Sequence, residues 1–408
     1  MVEAVIVATA RSPIGRANKG SLTEMRPEDL TVQMLRAALA KVPELDPATI
    51  DDLILGCAQP AAESGYNLAR VVSVLAGFDS VPGTTVNRFC ASSLQTTRMA
   101  FHAIKVGEGN AFVSAGVETV SRYMNGSADG GFQVDVRSPF FRDAIARSDA
   151  RAQGGAEIWH DPRQDGNLPD MYIEMGQTAE NVAQLLGISR REQDEFAVRS
   201  QNLAEKAIAN GFWERDITPV TLPNGQIVSK DDGPRPGTTY EKVAALKPVF
   251  RPDGTVTAGN ACPLNDGAAA LVIMSDTKAR ELELTPLARI VATGVSGLSP
   301  EIMGLGPSEA SRRALAHAGL TIEDIDLVEM NEAYAVQVIG SARELGIDFD
   351  KLNVNGGAIA IGHPYGMTGA RITSTLINSL QWNDKQFGLE TMCVGGGQGM
   401  AMIIERLG

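Results

Sequence analysis

No block of basic residues interrupts this chain, and its formal net charge is -13, which excludes a nucleic-acid backbone as its main partner. An anionic ligand must then be held by a few placed cations and backbone amides. No apolar run approaches the roughly 20 residues that span a bilayer, so no membrane span is expected. The first ten residues lack the basic start and cleavage site of a signal peptide and read as a buried strand. Cysteine is scarce. Cys57, Cys90, Cys262 and Cys393 stand far apart with no Cys-x-x-Cys pair, so neither a zinc site nor a secreted disulfide framework is expected. Reduced thiols in a cytoplasmic enzyme fit better.

What is there is an ordinary globular composition, 44% hydrophobic and 21% charged, in 408 residues that exceed one small core. Two or three packed domains are expected. The chain also echoes itself. Ala4–Thr9 is matched by Ala288–Thr293, and Ile50–Gly56 by Ile325–Asn331. Thr85–Asn87 is matched by Asn353–Asn355, and Ala111–Gly116 by Glu390–Gly395. Echoes in the same order predict two similar α/β halves. The β-branched runs read as strands buried on both faces.

Helices are expected between the strands. Leu94, Thr97, Phe101 and Ile104 share one helical face, with Gly107 as terminator. Pro307 to Ala318 also reads as a helix, ended by Gly319. The region from about 122 to 250 differs. Residues 125–170 are rich in Gly, Asp, Arg and Pro and read as a long loop. Ser189 and Glu192 have capping-box spacing before a helix that buries Phe196, Leu203 and Ala207. Asp231 to Thr239 is a second Pro/Gly-rich loop. An insertion of this length covers a ligand or forms an oligomer contact.

Three groups carry chemistry. Cys90 lies in Val-Asn-Arg-Phe-Cys-Ala-Ser-Ser, His363 in Ala-Ile-Gly-His-Pro, and Cys393 in Cys-Val-Gly-Gly-Gly-Gln-Gly. A nucleophilic thiol needs a base, commonly histidine. A second thiol beside amides left open by glycine points to another proton transfer near an oxyanion. The expected reaction is acyl transfer through a thioester. Cys90 just ahead of a helix would have its thiolate favoured by the peptide dipoles. The glycine run at 395–397 is no dinucleotide loop, because a strand rather than a helix follows it. Cys57 reads as core, and His102, His160 and His317 as ordinary histidines.

These motifs, with Asn331-Glu-Ala-Tyr334 and Val256-Thr-Ala-Gly-Asn260, resemble those of the thiolase family over essentially the whole chain. The resemblance implies a five-layered αβαβα fold: an N-terminal half of residues 1–121 plus 251–278, a loop domain of residues 122–250 covering the coenzyme A site, and a C-terminal half of residues 279–408. It implies that Cys90 carries the acyl group, that His363 takes its proton, and that Asn331 positions a water at one oxyanion site. Cys393 would exchange a proton with the substrate α-carbon or the CoA thiol. The amides of Cys90 and Gly395 would form a second oxyanion site. Met175, Ala258, Ala333 and Tyr334 would border the pantetheine path and Arg235 would face the nucleotide; Cys262 reads as lining the acyl pocket or else as filling space. Departures from the family's pattern are Glu174 where short-chain members carry histidine, Cys262 for serine, Tyr334 for phenylalanine and Ser93 for glycine. The implied activity is cleavage of 3-ketoacyl-CoA by CoA in fatty-acid β-oxidation, with no prosthetic group. Its alternatives are a biosynthetic acetyl-CoA acetyltransferase and a non-catalytic acyl-CoA-binding homologue. A homodimer or homotetramer is implied, and a β-oxidation partner enzyme is known for some members.

Overall fold

A computed structural model of the protein describes residues 2–123 and 137–408. Its strands in chain order are β1 (Ala4–Arg11), β2 (Gly15–Arg16), β3 (Asp52–Gly56), β4 (Gly83–Val86), β5 (Ala111–Thr119), β6 (Val220–Thr221) and β7 (Ile227–Val228). They continue with β8 (Asn265–Ser275), β9 (Ala288–Gly297), β10 (Leu327–Met330), β11 (Phe387–Val394) and β12 (Gln398–Arg406). One sheet runs β10-β11-β12-β9-β1-β8-β5-β3-β4, with β2 added beside β8, and β6 and β7 form a separate hairpin.

The sheet is two copies of one pattern. In the N-terminal half β3 and β5 are parallel, and β8 is antiparallel to both β5 and β1. In the C-terminal half β10 and β11 are parallel, and β12 is antiparallel to both β11 and β9. The halves meet where β1 pairs β9 through Val5–Arg289 and Ile6–Ala288. The echoed segments Ala4–Thr9 and Ala288–Thr293 thus lie side by side. The third echo is weaker than its sequence: Thr85 and Val86 lie in β4, whereas Asn353–Asn355 lies in no strand and only the preceding Leu352 makes one bridge, to Val328.

Three apolar cores separate five layers. The first packs helices Pro27–Leu39 and Leu68–Leu75 on the N-terminal sheet. The second holds helices Ser92–Val106 and Thr368–Trp382 between the sheets, and the third packs Gly306–Ala318 and Ala335–Leu345 outside the C-terminal sheet. Strand β8 serves two cores by alternation: Ala268, Ala270, Val272 and Met274 face one, Ala269, Leu271 and Ile273 the other. A strand buried on both faces reads as the continuous apolar run seen in sequence.

Helix ends follow the residues predicted for them. Gly107 and Gly319 adopt φ of 78° and 67° as C-caps, a conformation glycine enters without steric cost. Ser189 and Glu192 form the capping box of Arg190–Ala209. That helix buries Phe196, Ala204 and Ala207, while Leu203 is only half-buried, a correction to the expected face. The expected loop over 125–170 lies outside the described residues as far as 136. Beyond them the loop reading is overturned at Arg142–Ala152, which is a helix, while residues 153–170 stay largely irregular.

Candidate active site

The site is assembled from the two central helices and from strand ends of both halves. Cys90 sits in the turn between β4 and helix Ser92–Val106. Phe89 before it has φ of 45°, a left-handed conformation uncommon for a bulky residue, and strain of this kind recurs at functional turns. The turn is braced locally: Ser92 Oγ donates to the Phe89 carbonyl and accepts from the Arg88 amide. Burial pushes the Cys90 thiol up to about 12, while the amides of Gly395 and of Cys90 itself are directed at it and pull the other way. The thiolate expected from the helix dipole is therefore not the resting state, because loss of hydration outweighs the dipole. The thiol therefore needs a base.

His363 is 1% exposed, and burial, then the nearby Arg371 charge, lowers it to about 3. The imidazole is neutral, and its tautomer follows from its neighbours. Nδ1 lies 2.6 Å from Thr368 Oγ1, which itself donates to the Pro364 carbonyl at 2.7 Å. The threonine proton is thereby committed, so Thr368 accepts from Nδ1–H and the lone pair is on Nε2. Nε2 faces Asn331 Nδ2 at 3.2 Å. The other amide atom of Asn331, Oδ1, is buried with no partner, which suits a bound water. The His363 amide donates to Asn265 Oδ1 at 2.9 Å, anchoring the turn to β8.

Cys393 ends β11 with no exposure and packs with Met303 and Ala333, against which Met175 and Tyr334 also lie. Its thiol is pushed well up by burial, then by the neighbouring Cys90 and Cys262 charges. Cys262 is raised in the same way by burial and by Cys90, and its amide donates to the Ala333 carbonyl at 3.0 Å. Tyr365 links these thiols to the histidine: its ring stands edge-on to His363 at 5.1 Å, and Cys262 and Cys90 help raise its hydroxyl. Cys90, Cys262, Cys393, Asn331, His363, Ala333, Tyr334 and Met175 are thus one neighbourhood. Gly395 closes it against Phe89, where an added Cβ would come within 3.3 Å of the ring.

Arg235 and Ala258 lie apart from that neighbourhood, in an outer cleft of about 230 Å³ that also contains Arg16, Lys242 and Ala261. Among the described residues no carboxylate lines the cleft, and Arg16, Arg235 and Lys242 favour an anion there. Ala261 pairs with Tyr334, which connects the cleft to the thiols. Glu174 is exposed at the start of helix Met175–Leu186.

Several residues that hold the site escaped the sequence. Thr368, Asn265, Tyr365 and Arg16 belong to no obvious motif. Glu332 is buried beside Asn331 and accepts from Ser200, Asn353 and the Ile359 amide, binding the asparagine loop to the histidine loop. Its position in Asn-Glu-Ala-Tyr was the one available signal. No helix among the described residues is long and apolar enough to cross a membrane, and they contain no cluster of metal-ligating side chains.

Comparison with known proteins agrees with this geometry. The family model described as "Thiolase, N-terminal domain" matches residues 4–277, and that described as "Thiolase, C-terminal domain" matches 284–406. The chain is 43% identical to a 3-ketoacyl-CoA thiolase of Bacillus subtilis (strain 168), over 99% of this chain and the whole relative. It is 44% identical to a 3-oxoadipyl-CoA/3-oxo-5,6-dehydrosuberyl-CoA thiolase of Escherichia coli (strain K12), over the full length of both. Among solved structures, acetyl-CoA acetyltransferase of Bacillus anthracis matches with a TM-score of 0.86 and 41% identity, over 100% of this chain and 99% of that one. Human mitochondrial 3-ketoacyl-CoA thiolase matches with a TM-score of 0.84 and 36% identity, over the same shares. With both family domains in order along a chain that has this fold, the protein belongs to the thiolase family and is an acyltransferase.

Proposed function

We propose that this thiolase cleaves 3-ketoacyl-CoA with free CoA, giving acetyl-CoA and a shortened acyl-CoA, and that it serves fatty-acid β-oxidation. The observation that carries this reading is the neutral His363, whose Nε2 lone pair faces Asn331 in the neighbourhood of the thiols. His363 takes the Cys90 proton as the sulfur bonds to the C3 carbonyl carbon. Collapse of that adduct breaks the C2–C3 bond and leaves the acyl group on Cys90. Cys393 gives its proton to C2 of the departing enolate, so acetyl-CoA is released. The Cys393 thiolate then takes the proton of the incoming CoA thiol, and the CoA sulfur displaces Cys90, which recovers its proton from His363.

The carbonyl oxygens need donors as they gain charge. The amides of Cys90 and Gly395, directed at the sulfur, are positioned for the acyl-enzyme oxygen. Asn331, with a water, and His363 serve the CoA-thioester oxygen. CoA is a substrate here, with its pantetheine arm past Met175, Ala333, Tyr334 and Ala258 and its phosphates near Arg235 and Arg16. On this reading residues 122–250 cover the CoA site. The chain assembles as a dimer or tetramer; sedimentation as a monomer would refute that part.

Two measurements test the reading. Labelled acetyl-CoA should leave an acetyl group on Cys90, located by peptide mass, and none in Cys90→Ala; absence of label in the parent protein points to mere binding. Thiolysis rates from acetoacetyl-CoA upward should favour longer chains, whereas a strong preference for the four-carbon substrate points to a biosynthetic acetyltransferase.

A further inference from the structure

The C-terminal histidine turn must lie in register with the N-terminal cysteine turn, although the two belong to different halves of the sheet. The seam between them is made of glycines. An added Cβ on Gly116 would sit 2.3 Å from the Gly366 carbonyl, and one on Gly369 would sit 2.2 Å from the Leu94 amide. A Cβ on Gly366 would come within 2.5 Å of the Val117 carbonyl. Close backbone approach lets the halves touch but supplies no restoring force along the seam. Polar contacts across it must do that. One is Ser93 Oγ accepting from the Ala370 amide at 2.9 Å. Others are Asn265 Oδ1, which accepts from the His363 amide, and Glu118.

Glu118 stands on β5, is fully buried, and forms no ion pair among the described residues. It accepts from the Ala58 amide at 2.9 Å, the Gln59 amide at 3.2 Å and the Tyr123 hydroxyl at 2.9 Å. The Cys57 thiol lies 3.7 Å away. The remaining donor comes from the other half: the Gly366 amide, in the His363 turn, at 2.8 Å. Three of these partners are backbone N–H groups, which cannot accept a proton, and the tyrosine and thiol also present hydrogens. Burial raises Glu118 above the ordinary carboxylate value, and these donated hydrogen bonds oppose that shift. The titratable groups facing it are Cys57, Tyr123, Tyr365 and Cys90, and each is raised in part by its charge.

We propose that Glu118 is a positioning residue for the thiolase reaction, a buried clamp that holds the His363–Gly366 turn in register with the Cys90 turn. The proposal rests on Cys90 and His363 acting as nucleophile and base. A base displaced by about 1 Å loses much of its rate advantage, so the loss should fall on kcat rather than on substrate binding.

Glu118→Gln tests it. The amide keeps the shape but sets an NH2 group against donors and removes the charge. Expected are a kcat for acetoacetyl-CoA thiolysis reduced at least tenfold, a KM for CoA within about twofold, and alkylation of Cys90 by iodoacetamide, read by peptide mass, starting at lower pH. A purely structural role would not move that alkylation profile. A folded variant with kcat within twofold of the parent overturns the proposal, as does a fall in kcat with an unmoved profile. Should the glutamine variant not accumulate, Glu118→Asp keeps the charge but shortens the reach. Its kcat should fall with the alkylation profile unchanged, and parental kcat overturns the proposal. Acetylation of Cys90 in the parent protein separates failure of this idea from failure of the mechanism beneath it.

Discussion

His363 refuses a proton that the unfolded chain would accept. Its native value is about 3, held there by burial and Arg371, whereas an exposed imidazole titrates near 6.5. Between those values unfolding takes up a proton, so this residue makes stability fall as pH drops through that window, by up to about 1.4 kcal/mol per unit. In His363→Asn the side-chain amide replaces Nδ1–H against Thr368 without titrating. Urea unfolding of parent and variant at pH 7, 6 and 5 should show the parent losing more stability; parallel losses would contradict it. The same ring yields a kinetic prediction. Thr368→Val removes the acceptor that fixes the tautomer, so kcat should fall about tenfold or more with little change in KM, and Thr368→Ser should restore it. Cys90, His363 and Cys393 were legible because thiol, imidazole and neighbouring glycine announce chemistry by residue type. Thr368 and Glu118 were not, because their meaning lies in contacts; Glu118 and Gly366 are 248 positions apart.

Among elements, helix Arg190–Ala209 was legible from its start and Arg142–Ala152 was not. The first opens on Ser189 and Glu192, each satisfying a free backbone amide of the other's turn. Ser189→Ala should therefore cost about 1 kcal/mol in denaturant unfolding, with kcat unchanged. The same glutamate is lowered to about 2 by hydrogen bonds to Arg343 and Ser189, so the box persists well into acid. The second helix buries only Ala144 and Ser148, four apart, leaves Ile145 half-buried as its one large apolar residue, and is otherwise charged or small. With no apolar stripe there is no 3.6-residue rhythm to find, and its Gly- and Asp-rich surroundings imitate a loop. The central helix Ser92–Val106 stood out for the opposite reason, with Leu94, Phe101 and Ile104 on its buried face. The thiolate expected at its start failed for a reason periodicity does not carry, namely how far the tertiary fold dries the sulfur.

At the scale of the molecule, the echoed strands foretold two halves, yet a buried polar network that also ties them together was not foretold. Arg11, at the end of β1, is fully buried and pairs with Asp216 at 2.9 Å and Asp231 at 2.5 Å, under the ring of Trp213. Asp216 also accepts from Ser374, Thr375 and Asn378 on the central helix Thr368–Trp382. One guanidinium therefore binds a strand of the N-terminal half, through Asp216, to the helix that begins with Thr368. Removing one partner of a buried ion pair strands the other charges, at a typical cost of about 3–5 kcal/mol, whereas replacing the whole set by neutral groups costs far less. Arg11→Met should destabilise by that amount in urea. Adding Asp216→Asn and Asp231→Asn should recover part of the loss, because the stranded carboxylates rather than the missing cation set the cost. Since the central helices belong to both halves, thiolase activity and far-UV ellipticity should vanish together along the same urea curve. A plateau at which half the ellipticity survives would show that each half folds by itself and that this network joins them only loosely.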